Sequence, residues 1–240
     1  MDGNGRWARA HGRPRAFGHA RGVESIRDIT TECSLLEGIG CLTLYALSRE
    51  NYSRRPAKEV NFLMGLLRTY LRREAATFRE HNIRVRFIGE WEVFPKAVRE
   101  QMLRSLAETE ANRSLVLTFA LNYGGRAEVV AAVRRLLVDL GRGILKEEEV
   151  DEAAIAARLD TAGMPDPDLI IRTAGEMRLS NFLLWQASYA EFWSTELCWP
   201  DFRKEQLWEA LENYQRRVRK FGALRRGLDP AKPPGKEPPP

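Results

Sequence analysis

Leu115-Val116-Leu117-Thr118-Phe119-Ala120-Leu121 is a nearly continuous apolar run that passes directly into Asn122-Tyr123-Gly124-Gly125-Arg126. Helical spacing then takes over across residues 127–140 and stops at Gly141. An apolar strand that meets no polar alternation is buried on both faces, as strands of a parallel sheet are. A strand, a short polar loop and a helix in that order form half of a β-α-β unit.

The same alternation runs outward in both directions. Residues 23–36 carry Val23, Ile26, Ile29, Cys33 and Leu36 at helical spacing before the stop at Gly38, and residues 40–47 read as a strand. Pro56 opens a helix with a broad stripe of Val60, Leu63, Leu66, Leu67, Tyr70 and Leu71. Residues 83–88 alternate apolar with Arg, as a strand with one wetter face does. Residues 95–110 are helical, 152–159 form a weaker helix, 168–171 a short strand and 203–221 an amphipathic helix. The fold class expected is α/β: a mainly parallel central sheet with helices on both faces, in a single domain over residues 1–224. Residues 225–240 read as a Pro-rich disordered tail, since residues 230–240 hold six of the twelve prolines.

Composition narrows the function classes. With 240 residues, 44% hydrophobic and 30% charged, the chain can bury a sizeable core, which excludes disorder, collagen and coiled coil. The longest uncharged stretches have 12 residues, too few to span a bilayer. The first 27 residues hold six Arg and no apolar run, so they do not read as a secretory signal. Three Cys without a CxxC pair point to reduced thiols in the cytoplasm, and the three His lack zinc-ligand spacing. Most of the net charge of +5 sits in the first 27 residues, where Arg6, Arg9, Arg13, Arg15, Arg21 and Arg27 face only Asp2 and Glu24. Charge concentrated beside glycine describes an anion site and argues against a nucleic-acid partner, which would need Arg spread along a face.

In open parallel sheets ligands bind beyond the carboxyl ends of the strands. Three strand ends are followed by loops of one kind: Ser48–Arg55, Asn122–Arg126 and Arg172–Ser180, each joining Arg to small hydroxyl, amide or glycine residues. Three such loops converging describe a ligand with several phosphate groups. The first segment, Met1-Asp2-Gly3-Asn4-Gly5-Arg6-Trp7-Ala8, adds glycines that let N–H groups approach phosphate, although alone it would read as a plain tight turn. Asp2 would repel phosphate unless Mg²⁺ lay between them. Neither a Walker A loop nor a GxGxxG fingerprint is present.

Five blocks, MDGNGRWA from Met1, GHARG from Gly18, LSRENYSRRP from Leu47, NYGGRAE from Asn122 and DLIIRTAGEMRLSNFLLWQASYAEF from Asp168, together resemble the cis-prenyltransferases, with the bacterial undecaprenyl diphosphate synthases nearest. The resemblance implies a Mg²⁺-dependent transferase that condenses isopentenyl diphosphate units onto an allylic diphosphate, usually farnesyl diphosphate, with cis double bonds. It implies a hydrophobic tunnel lined partly by core helices, a homodimer, and a cytoplasmic location with peripheral membrane contact through the lipid product. It assigns Asp2 as the Mg²⁺ carboxylate and catalytic residue, and Glu191 as a second metal carboxylate from the partner region of the site. Gly3, Asn4, Gly5, Arg6, Trp7, Arg15 and His19 match positions around the allylic diphosphate, with Trp7 read from its own chemistry as packing the loop. Arg172, Arg178 and Ser180 match the isopentenyl diphosphate pocket. Ser48, Asn51 and Arg54 match a loop that orders the substrates, with Asn51 the catalytic member. Met177 replaces a frequent His, Ala174 a usual Gly or Ser, and Tyr52 a frequent Trp.

A non-catalytic subunit of the same family, the alternative, would have lost Asp2, Arg172 and Arg178. A trans-prenyltransferase would carry a DDxxD motif, which is absent. In the family the first motif's Asp follows an apolar strand. Here that strand has no counterpart, so its sheet neighbours are expected to lack a pairing partner, Asp2 is expected to fray, and some 10–25 upstream residues are expected in the natural protein.

Overall fold

The computed structural model describes residues 1–217. The sequence expectations for residues 218–240, including the end of the last helix and the Pro-rich tail, lie outside the described residues. In chain order the elements are α1 (Asn4–Ala10), α2 (Arg15–Leu35), β1 (Cys41–Ser48), α3 (Arg49–Arg54), α4 (Ala57–Arg73), α5 (Ala75–Glu80), β2 (Ile83–Ile88), α6 (Lys96–Thr109), β3 (Leu115–Tyr123), α7 (Gly125–Gly141), α8 (Glu152–Ala156), β4 (Leu169–Arg172), β5 (Glu191–Ser194) and α9 (Lys204–Gln215).

β3 is the central strand of a parallel three-stranded sheet in the order β1-β3-β2, and β4 pairs in parallel with β5. Alternation along β3 explains the two layers. Leu115, Leu117, Phe119 and Leu121 face one large core with Ile29 of α2, Met64, Tyr70 and Leu71 of α4, Val98 and Met102 of α6 and Leu207 of α9. Ala120 faces the other side, in a smaller cluster with Ile88, Tyr123 and Leu183. Because the large core also takes in Trp193, Trp199 and Phe202, both sheets share it.

The expected central sheet is therefore parallel throughout but divided. Among the described residues β1 and β4 each have one strand partner, and residues of both line the space between them. Asp2 does not fray, contrary to expectation. Its N–H donates to Thr173 Oγ1 and its carbonyl accepts from the same hydroxyl, each at 2.9 Å. The Trp199 N–H also donates to the Asp2 carbonyl at 2.9 Å.

The first motif, which alone would read as a tight turn, starts a helix. Gly3 caps α1 at φ +94°, where a Cβ would lie 2.7 Å from Cys198 Sγ. The first glycine of the second block acts through packing: a Cβ on Gly18 would stand 2.0 Å from the Asn4 carbonyl oxygen, so only glycine lets α1 lie against α2. The acidic run at 147–152 is a helix start, with Asp151 accepting from the Ala154 N–H at 2.7 Å. Among the described residues no helix is long and apolar enough to cross a membrane.

Candidate active site

A cavity of about 1510 Å³ lies between β1 and β4. Its walls divide chemically. Ile26, Ile29, Leu44, Leu63, Met64, Leu67, Phe119, Ile171 and Leu211 make an apolar interior, and polar groups gather around Asp2. Predicted residues Asp2, Gly3, Asn4, Gly5, Arg6, Arg15, His19, Ser48, Asn51, Arg172, Arg178 and Ser180 all line this one space. The cavity is larger than a usual small-molecule pocket, and its apolar depth suits a hydrocarbon.

Asp2 and Arg172 form the centre of the polar part. Arg172, at the carboxyl end of β4, donates to Asp2 Oδ2 at 3.2 Å and to Ser180 Oγ at 2.8 Å, and also bonds the Arg178 carbonyl. Burial would raise the Asp2 pKa, but the Gly3 N–H and Arg172 outweigh it and hold the carboxyl below the usual aspartate value. Asp2 is therefore an anion near neutrality and 44% exposed at its side chain, open to a further cation.

A second group surrounds Glu59 of α4. Its Oε1 takes Arg55 Nη1 at 3.0 Å, Arg15 Nε at 3.4 Å and His19 Nε2 at 3.5 Å. His19 Nε2 is buried, and its approach to Glu59 does not have hydrogen-bond geometry. Burial first, and then the Arg55 charge, lower the His19 pKa to about 4, so the imidazole is neutral at pH 7. A third group joins Arg6 to Arg178 through Glu176.

Three predicted residues are not brought to the cavity. Arg54 ends α3 with its side chain exposed, whereas its neighbour Arg55 lines the wall. Trp7 is turned to the protein: its Nε1 donates to Asp201 Oδ1 at 2.7 Å and its ring stacks on His11 with centroids 4.0 Å apart. Glu191 opens β5 in register with Leu169, three residues before the Arg172–Ser194 pair. That places it roughly 10 Å back along the strand from the ligand end. It pairs instead with Arg217 at 2.6 Å. Among the described residues no three His, Cys, Asp or Glu side chains are grouped to hold a metal.

Ser48 lines the cavity but its hydroxyl caps α3, accepting from the Asn51 N–H at 3.1 Å. Sequence reasoning missed Glu59, and gave no individual role to Glu50, Arg55, Thr173 and Glu176 within the loops it marked. Only the position of Arg55 directly before Pro56 could have signalled its role, because the proline ends α3 and turns the chain there. Ala174, read from the resemblance as replacing a usual Gly or Ser, sits at φ +69°, a strained conformation for a residue with a Cβ.

The family model for undecaprenyl diphosphate synthases matches residues 1–222. Curated isoprenyl transferases are close relatives. That of Clostridium tetani is 48% identical over 93% of this chain and 87% of its own length. That of Geobacter sulfurreducens is 47% identical over 92% and 89%. Among solved structures, lavandulyl diphosphate synthase from Lavandula x intermedia, in complex with dimethylallyl diphosphate, superposes with a TM-score of 0.89 at 36% identity, covering 92% of this chain and 95% of that one. A probable undecaprenyl diphosphate synthase from Campylobacter jejuni superposes with a TM-score of 0.73 at 31% identity, covering 84% and 92%. With relatives of this similarity over more than nine-tenths of its length, the chain belongs to the undecaprenyl diphosphate synthase family of cis-prenyltransferases, enzymes that lengthen an allylic diphosphate with isopentenyl diphosphate units.

Proposed function

We propose that this transferase uses farnesyl diphosphate as its starter and adds isopentenyl diphosphate repeatedly, in cis, to make a polyprenyl diphosphate such as undecaprenyl diphosphate. The observation that carries this reading is the joining of a guanidinium-rich mouth to an apolar cavity of about 1510 Å³. Two diphosphates need several forked donors, and a growing hydrocarbon needs a dry wall.

In this mechanism Arg6, Arg15, Arg55, His19 and the backbone of Gly3 and Gly5 hold the allylic diphosphate. Arg172, Arg178 and Ser180 hold the diphosphate of isopentenyl diphosphate. The bond from the allylic carbon to the diphosphate oxygen breaks, and negative charge grows on the departing pyrophosphate. Guanidiniums already in place stabilise that charge without reorganising. The double bond of isopentenyl diphosphate attacks the allylic carbon, and loss of one proton restores a double bond. Asn51, at the head of α3 on the cavity wall, orients the reacting groups. The apolar interior excludes water, which would otherwise capture the allylic carbocation.

Mg²⁺ is the cofactor we assign. The donor set fits it: one ionised, half-exposed carboxylate, Asp2, beside the diphosphate donors. A cation that keeps waters and shares substrate phosphates needs one or two protein carboxylates. Bound there, Mg²⁺ supplies positive charge that neutralises the pyrophosphate. Glu191, held by Arg217 away from the cavity, is not part of that set within one chain.

We also assign a homodimer, supported by Val130, Val133 and Leu137, which form an exposed apolar stripe along α7 at 51%, 41% and 60% exposure. The enzyme works in the cytoplasm, touching the membrane peripherally through its lipid product. Incubation with farnesyl diphosphate, radiolabelled isopentenyl diphosphate and Mg²⁺, followed by chromatography of the lipid products, tests the reading. A ladder of lengthened chains is expected. No chain growth, with or without detergent, refutes it.

A further inference from the structure

Glu176 lies in the segment between β4 and β5 and engages two guanidiniums at once. Its Oε1 accepts from Arg6 Nη2 at 3.1 Å, and its Oε2 pairs with Arg178 Nη1. These arginines come from distant parts of the chain and serve the two different diphosphates in the reading above. A carboxylate gripped by two forked donors makes the contacts that a phosphate group would make with them.

The support beneath Glu176 differs from that beneath the other carboxylates of the site. Glu59 is built into the 17-residue helix α4, and Asp2 is clamped by Thr173 and Trp199. Glu176 belongs to a stretch without helix or strand, in which Ala174, Gly175, Ser180 and Asn181 all have positive φ. Arg6 has a second acceptor there, the Ala174 carbonyl at 2.8 Å, so it remains over the loop when its carboxylate partner leaves. Both arginines are at least half exposed at their side chains and are reachable by an incoming anion.

We propose that Glu176 is an internal counter-anion of the diphosphate sites. It holds Arg6 and Arg178 together in the ligand-free enzyme, and an arriving diphosphate displaces it. The proposal rests on the reading of Arg6 and Arg178 as diphosphate donors. Glu176 thereby opposes diphosphate binding, since its two ion pairs must be broken first. The same competition speeds the departure of pyrophosphate after each condensation, because a carboxylate waits to take over the freed guanidiniums. A chain-lengthening enzyme must clear pyrophosphate in every cycle, so a returning anion serves turnover at some loss of affinity. Glu176 acts through the two arginines and is a positioning residue.

The test is calorimetric titration of inorganic pyrophosphate, in the presence of Mg²⁺, into the wild type, Glu176→Gln and Arg178→Ala. Glu176→Gln is expected to bind about three- to tenfold more tightly, the range set by losing two exposed ion pairs. Glu176→Ala is expected to tighten binding in the same direction, since lost charge is the cause. Arg178→Ala is expected to bind at least ~10-fold more weakly. A purely structural role for Glu176 moves its variants the other way, because a loosened loop scatters the donors. Unchanged or weaker binding in both Glu176 variants, with the Arg178→Ala loss intact, overturns the role of Glu176 and leaves the site reading standing. Arg178→Ala without effect overturns the site reading, and the proposal with it.

Discussion

Glu59 and Glu176 perform one electrostatic task on two kinds of support. Each carboxylate sits among side chains read as holding diphosphate: Glu59 with Arg15, Arg55 and the neutral His19, and Glu176 with Arg6 and Arg178. Glu59 is fixed by a helix whose apolar stripe is in the core, with Val60 and Met64 buried beside it. Two of its partners are shielded as well, His19 at 12% and Arg55 at 22% side-chain exposure, against 50% for Arg6 and 63% for Arg178, whereas its third partner Arg15, at 57%, is as open as those two. A carboxylate built into a helix anchored in the core shapes the side chains around it and stays. A carboxylate on an irregular loop beside exposed arginines can yield its place. The support, more than the pairing, decides whether an ion pair is scaffold or switch.

Asp2 stands between the two regions, bonded to Arg172 and acting by its charge on Arg55. Its loss should give the largest effect. Asp2→Ala is expected to lower kcat by at least ~10²-fold with the fold intact, since the backbone clamp to Thr173 does not use the side chain. Turnover near that of the wild type at saturating Mg²⁺ would remove Asp2 from the centre of the comparison.

The shielded region can be tested through adjacent arginines. Arg55→Ala is expected to raise KM for the allylic diphosphate by roughly 1.5–3 kcal/mol, about 10- to 150-fold, because a guanidinium on the cavity wall is lost. Arg54→Ala, on the exposed side of α3, should stay within about twofold of the wild type. Equal effects, or the reverse order, would mean that α3 presents its other face to the substrate.

The smallest predicted effect concerns pH. His19 has a pKa of about 4 in the folded protein against 6.5 for the unperturbed side chain. Between those values the unfolded chain binds a proton that the native protein refuses, so stability is lost as pH falls from about 6.5 towards 4. The depressed pKa corresponds to an order-of-magnitude penalty of about 2 kcal/mol at pH 5. His19→Gln should lose correspondingly less stability than the wild type between pH 7.5 and 5, measured by urea unfolding. Parallel losses in the two proteins would show that His19 is not shielded as the Glu59 region requires.

Most of the fold was legible in local patterns. The strand read at residues 40–47 is Cys41–Ser48, that at 115–121 is Leu115–Tyr123, and the helix read at 95–110 is Lys96–Thr109. β5 left no signal of its own. Four residues, two of them aromatic, are too few to show a period, and pairing with β4 makes them a strand. α1 was hidden because Asp-Gly-Asn-Gly reads locally as a turn. Its packing depends on Gly18, fourteen residues after Asn4, where the backbones touch.

The sequence by itself determined the alternating parallel architecture, the apolar interior and the collection of Arg, Gly and hydroxyl residues at strand ends that selects a diphosphate chemistry. Those are properties of residue type and spacing, which physical periodicity converts directly into elements and faces. Tertiary structure alone decided which members of that collection meet. Arg54 and Arg55 are the same residue type one position apart, and only the packing of α3 and Pro56 turns one into the cavity. Glu191 and Glu59 are both carboxylates, yet one is drawn to Arg217 at the amino end of β5 and the other gathers two guanidiniums and a neutral imidazole. Glu176 meets Arg6 across 170 residues of chain. Contacts of that kind depend on how whole elements pack, and no local pattern records them.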